Sequence, residues 1–236
     1  MTYTGFKYNG FHSFKDFGLS IEKREIGNPS KIKRLERVPF SNTNYDFSNI
    51  YGGQEFEERT LSYEVNVAWK DKSNDFYSYE TEFLNWLGSV SEKQVLVDDL
   101  VPGFYFLAEV VNQIDTDFLH YGGKSIIEFT AYPFKIGEHF EGNDIWDNFN
   151  FLLDYAQDTK FEINGSKAVT LYNLSATTVI PEIVTTAAMT IKRGNTTFQI
   201  PKGTTKSHDF MLLQNENNLV IQGNGMIEFK FRKELI

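Results

Sequence analysis

Apolar and polar side chains alternate without a break from Leu61 to Trp69. Leu61, Tyr63, Val65, Val67 and Trp69 fall on one side, and Ser62, Glu64, Asn66 and Ala68 on the other. A period of two residues belongs to an extended strand, so one face is buried and the other wet. A half-buried strand needs partner strands, and this commits the region to a sheet. Residues 76–90 change the period. Phe76, Tyr79, Phe83, Trp86, Leu87 and Val90 recur at threes and fours, the spacing of one stripe on a helix. Ser73, Asn74 and Asp75 can each cap its start, and Gly88 stands where it should end.

Two further strands are expected at 104–114 and 124–134, preceded by the turn formers Pro102-Gly103 and Gly122-Gly123. Both carry apolar residues on both faces, which predicts strands that are central in a sheet or covered on both sides. Residues 39–58 read as a long irregular segment in which Phe40, Tyr45, Phe47, Ile50 and Tyr51 are interspersed among turn formers. These five are the candidate subunit-interface residues. A loop folded back on its own core would satisfy them equally.

Composition shifts after Gly137, and 138–158 turn acidic and aromatic. The expected division is 1–137 and 138–236. The second part shows short strands near 168–173, 178–184, 187–192, 196–200, 209–213, 218–222 and 225–232. Asn164-Gly165, Gly194-Asn195 and Gly223-Asn224-Gly225 punctuate them as turns, a spacing that suggests an antiparallel sandwich. The fold class is therefore mainly β. An N-terminal β-sandwich-like domain carries one packed helix and a long loop or hairpin, and a C-terminal antiparallel β-sandwich follows.

Chemistry is sparse. The 236 residues contain no cysteine, which excludes disulfides, a thiolate nucleophile and a cysteine zinc site. His12, His120, His139 and His208 lack metal-ligand spacing. Ser207-His208-Asp209 are consecutive and cannot form a relay among themselves. Gly123-Lys124-Ser125 lacks the upstream glycine of a phosphate loop. The reading is no enzyme, no catalytic residues, no metal and no cofactor. The net charge of −9 disfavours nucleic acid as a partner. No apolar run is long enough to cross a membrane, and the first residues lack a signal peptide's apolar region, so the expectation is synthesis in a cytoplasm. Six Lys or Arg against three Glu make 22–37 locally basic, read as a solvated strand face or a contact for an acidic surface.

The motif order resembles the distal tail protein (Dit) family of long-tailed phages. Gly5-Phe6-Lys7-Tyr8-Asn9-Gly10-Phe11-His12-Ser13 and Phe17-Gly18-Leu19 look like the family's opening. Arg59 looks like its Arg-anchored strand. Phe83-Leu84-Asn85-Trp86-Leu87, Asp98-Asp99, Pro102-Gly103 with Phe104-Tyr105-Phe106-Leu107-Ala108, and the closing Ile127-Glu128-Phe129-Thr130-Ala131-Tyr132-Pro133-Phe134-Lys135 are the most specific segments. Where the family often has Pro-Gly-Arg-x-Gly, this chain has Pro39-Phe40-Ser41-Asn42-Thr43 without either glycine. The second half is more loosely similar to the family's galectin-like domain. The sugar-binding set of a galectin is missing, and Tyr172, Phe198 and Phe210 are the residues left for building a different sugar site.

The resemblance implies a structural virion protein at the tail tip, made in the host cytoplasm. It would form a hexameric ring with copies of itself. One ring face would meet the tail-tube protein and the other the tail-associated fibre or lysin protein, with receptor-binding or other baseplate proteins as further partners. It implies neither specific nucleic-acid binding nor membrane insertion. The alternative is a carbohydrate-binding protein acting through the C-terminal sandwich.

Overall fold

A computed structural model describes residues 4–50, 53–68, 76–112, 114–119, 122–143 and 149–236. The chain falls into two compact units, one up to Lys135 together with Ile236, the other Ile136–Leu235. The first contains β1 (Phe6–Tyr8), β2 (Phe11–His12), β3 (Ser20–Ile26), β4 (Leu35–Arg37), β5 (Asn44–Asp46), β6 (Arg59–Ala68), α1 (Phe76–Gly88), β7 (Gln94–Asp98), β8 (Phe104–Val110), β9 (Asp115–Leu119) and β10 (Gly122–Ala131).

Its sheet runs in the order β2-β1-β7-β8-β10-β6-β3, with β9 also on β10. The long pair is β6 with β10, antiparallel from Arg59↔Ala131 to Ala68↔Gly122. Leu61, Tyr63, Val65 and Val67 all lie in the core, as their period requires, while Trp69 lies outside the described residues. The β1–β2 turn places Asn9 and Gly10 at φ 42° and 83°, two left-handed residues in a row, the geometry that an Asn-Gly hairpin favours.

Helix α1 ends at Gly88, and its capping candidates Ser73, Asn74 and Asp75 lie outside the described residues. Its buried stripe is Phe83, Trp86 and Leu87. Trp86 stacks on Phe17 with centroids 4.5 Å apart, and its indole N–H donates to the Tyr8 carbonyl at 2.8 Å. Phe6 lies 4.6 Å from the Tyr63 ring and 5.9 Å from Trp86, and so joins helix to sheet. Of the two alternatives for β8 and β10 the central place holds, and the covering is one-sided. Ile127 and Phe129 are fully buried, but Ile126 on the opposite face stands exposed.

Strand β11 (Lys135–Gly137) starts on the last residue of the first unit's main segment, and the second unit goes on with β12 (Lys160–Asn173), β13 (Glu182–Thr185), β14 (Met189–Arg193), β15 (Thr196–Ile200), β16 (Gly203–Thr205), β17 (Asn215–Lys230) and β18 (Glu234–Leu235). Six of these form one sheet, β15-β14-β17-β13-β16 with β12 along β17. Its core is an alternating set that includes Ile163, Leu171, Ile191, Ile221, Ile227 and Phe229.

The expected breaks at Asn164-Gly165 and Gly223-Asn224-Gly225 are not turns. Both lie inside continuous strands, and Asn164 pairs with Asn224 and Gly165 with Gly223. Gly223 and Gly225 answer a close approach instead, while a Cβ at Gly165 would meet nothing within 4 Å. Gly225 has φ +131°, and a Cβ there would meet Thr186 Oγ1 at 2.4 Å. The strand passes the β13–β14 connection without room for a side chain. The expected strand at 209–213 is also absent. Phe210 and Leu212 are buried from an irregular segment, held by reciprocal backbone bonds between Val179 and Leu212.

Candidate interaction surface

Residues 31–57, read partly as a strand face and partly as an irregular loop, form a single ribbon. β4 and β5 pair through Leu35↔Asp46, Glu36↔Tyr45 and Arg37↔Asn44, as a two-stranded sheet of their own. Below them Lys31 bridges Phe56, Ile32 N–H donates to the Glu55 carbonyl, and Glu57 N–H to the Ser30 carbonyl. Ser48 is buried and accepts the Arg34 N–H at 2.9 Å. Two of its cations are paired within the ribbon, Lys33 with Asp46 and Arg34 with Glu55, both at 2.8 Å. The ammonium of Lys33 and the bonds from Ser48 hold the Asp46 carboxyl well below its ordinary range.

The ribbon has polar staples and little core, so its large apolar side chains point into solvent. Phe40 is fully exposed, and Tyr45, Phe47 and Ile50 are exposed beside it. Leu35 on β4 is exposed too, a residue that sequence reasoning passed over because charged neighbours flank it. Tyr51 lies outside the described residues. Phe40 stands at the tip with φ 62°. This is the place where the resembling pattern carries glycine, and a bulky residue there is held in a strained conformation.

Arg59 closes the ribbon's root. The chain leaves the sheet at Gly27-Asn28 and returns at Arg59, whose Nε donates to the Gly27 carbonyl at 2.7 Å, with Nη2 3.4 Å from Asn28 Oδ1. The guanidinium also lies over the Phe106 ring, 5.4 Å from its centroid.

Elsewhere the chemistry-bearing residues serve local structure. Ser207 and Asp209 bond each other in a turn beside exposed His208. Lys124 lies in β10 and pairs with Glu22 at 2.6 Å. His12 accepts the Phe14 and Lys15 N–H groups on Nδ1 and meets Asp99 through Nε2 at 3.1 Å. His120 lies outside the described residues. Among the described residues no three His, Cys, Asp or Glu side chains are grouped to hold a metal, and no helix is long and apolar enough to cross a membrane. In the second unit Phe210 is buried, Phe198 packs against the core, and Tyr172 faces outward against Tyr155. Arg193 donates to the Met211 carbonyl and stacks on Phe198 and Phe210.

The fold and surface define a class: a mainly β chain of two units, with one short helix and a ribbon that projects apolar side chains. No protein-family model matches the chain, and no curated protein does. Among solved structures it is similar to the crystal structure of SPP1 Dit (gp 19.1), described as a paradigm of the hub adsorption apparatus in phages infecting Gram-positive bacteria. The TM-score is 0.63 at 11% identity, over 98% of this chain and 99% of that one. The chain has a Dit-like fold along its whole length.

Proposed function

We propose that this chain is a structural hub protein of a phage tail tip. Copies of it form a ring, hexameric on the resemblance, that joins the tail tube to the central fibre or spike and to the other baseplate components. The observation that carries the reading is the likeness of the whole chain, both units in order, to a protein of a hub adsorption apparatus. The exposed ribbon supports it, because an apolar strip of this size on a solvated hairpin is an interaction surface. In this reading residues 1–137 form the ring, with Phe40, Tyr45, Phe47, Ile50 and Tyr51 at the contact between copies. Residues 138–236 are an outward, galectin-like module. The protein works by binding and carries out no reaction, and its place is the virion tail tip.

The experiment is mass in solution, by light scattering or native mass spectrometry, with negative-stain images. Rings of one fixed copy number are expected. Deleting residues 42–53 is expected to shift them toward monomer while the second unit stays folded. A protein that stays monomeric at tens of micromolar argues against the reading. Rings that survive the deletion remove the ribbon from it.

A further inference from the structure

Arg59 is 3% exposed, and among the described residues no carboxylate pairs with it. Its hydrogen-bond partners are neutral, the Gly27 carbonyl and Asn28 Oδ1, and its Nη1 is buried with no partner at all. A second cation stands beside it. Lys135 lies over the Phe104 ring, 5.5 Å from the centroid, two residues along β8 from the Phe106 ring under Arg59. Burial and the Arg59 charge together hold the Lys135 ammonium below its ordinary pKa, and burial does the same to Arg59. Like charges in a partly dry place, without a counter-ion, raise the energy of the isolated chain. Arg24, a half-buried arginine of the same unit, has Asp98 at 2.7 Å. The spot is therefore a local exception.

We propose that the Arg59–Lys135 pair is a docking point for a carboxylate side chain of a second copy of this chain. The inference rests on the hub reading above, since it needs copies side by side. Charge favours this occupant. The protein carries 32 Asp and Glu against 23 Lys and Arg, and residues 138–158 hold six carboxylates with no lysine or arginine. Position favours it too, because Arg59 roots the ribbon whose apolar tip is the contact expected between copies. Lys135 is half-buried and is the group an incoming carboxylate touches. Arg59 supplies field from behind it, and the aromatic rings keep water thin around the pair, which strengthens the attraction.

The test is zero-length crosslinking with a carbodiimide, which joins an amine to a carboxylate in contact, on an equal mixture of ordinary and nitrogen-15 protein assembled together. The expected result is a crosslinked peptide that pairs Lys135 of one isotope with an Asp or Glu peptide of the other. Lys135→Arg should lose the crosslink and keep the assembly. Lys135→Met should weaken association by about tenfold or more while leaving the dissociated chain as stable as before, or more so. Rings that form without a mixed-isotope Lys135 crosslink, or with same-isotope pairs only, overturn this inference and leave the hub reading standing. A protein that forms no assembly overturns both.

Discussion

Arg24 Nε lies 2.7 Å from Asp98 Oδ2, and the same oxygen accepts a hydrogen bond from the Tyr63 hydroxyl at 2.9 Å. Asp98 is wholly buried, and its other oxygen accepts the Leu100 N–H at 2.8 Å. One carboxylate thus ties the end of β7 to β3 and to the middle of β6, the edge strand at the other side of the sheet and its neighbour. The contact to Arg24 is ionic and poorly aligned as a hydrogen bond, and Arg24 Nη2 has no partner. Coulomb attraction in a dry setting holds the pair. Asp98→Asn keeps the size and removes the charge, and should cost about 3–5 kcal/mol in urea denaturation by stranding the guanidinium. Adding Arg24→Met should recover much of that loss. A double variant no more stable than Asp98→Asn alone would show that the charge is not the cause.

Trp86 is the largest side chain of the helix stripe, and it spends both its ring and its N–H inside the core. Trp86→Ala should destabilise the first unit by about 3–5 kcal/mol. Trp86→Phe should cost less, because it keeps the stack on Phe17 and loses chiefly the bond to the Tyr8 carbonyl. Chemical denaturation of the two variants checks the order.

Phe40 is fully exposed at φ 62°, so the isolated chain gains nothing from its ring and holds it in strain. Phe40→Gly should leave the dissociated chain as stable, or raise it by about 1 kcal/mol, by removing that strain. The same variant should weaken association. Opposite signs in the two measurements are expected of an interface residue. A loss of monomer stability would mean that the ring packs on its own chain.

The Tyr8 hydroxyl is buried without a hydrogen-bond partner, and burial, with the Glu109 charge as a lesser cause, pushes its pKa up to about 12. Burial raises Tyr63 and Tyr79 as well. A phenol raised in the folded state binds its proton there after the unfolded chain has lost it, so stability falls as pH rises from about 10 toward 12. Tyr8→Phe should flatten that fall and be neutral or stabilising at pH 7. Denaturation midpoints at pH 9 and pH 11, with phenolate absorbance, check it.

Where one side chain's period decided an outcome, the sequence carried it. The buried faces of β6 and α1 follow from spacing alone, because a strand or helix turns each residue by a fixed angle. The aromatic residues of 39–58 stood out as apolar groups with no periodic face to join, but spacing left open whether they fold back on the core, and the structure exposes Phe40, Tyr45 and Phe47. What spacing cannot carry is whatever depends on a second segment. Gly223 and Gly225 have the composition of a turn, and only the segment packed beside them shows that they make room inside a long strand. The ribbon needed the pairing of 35–37 with 44–46, and Lys33 and Arg34 lost their freedom only when Asp46 and Glu55 came beside them. The contrast between Arg24, which has a carboxylate, and Arg59, which has none, is also tertiary. Both are arginines at strand positions, and the difference is that β7 delivers Asp98 to one of them and no carboxylate to the other, because a charge's energy is set by what surrounds it and not by its place in the chain.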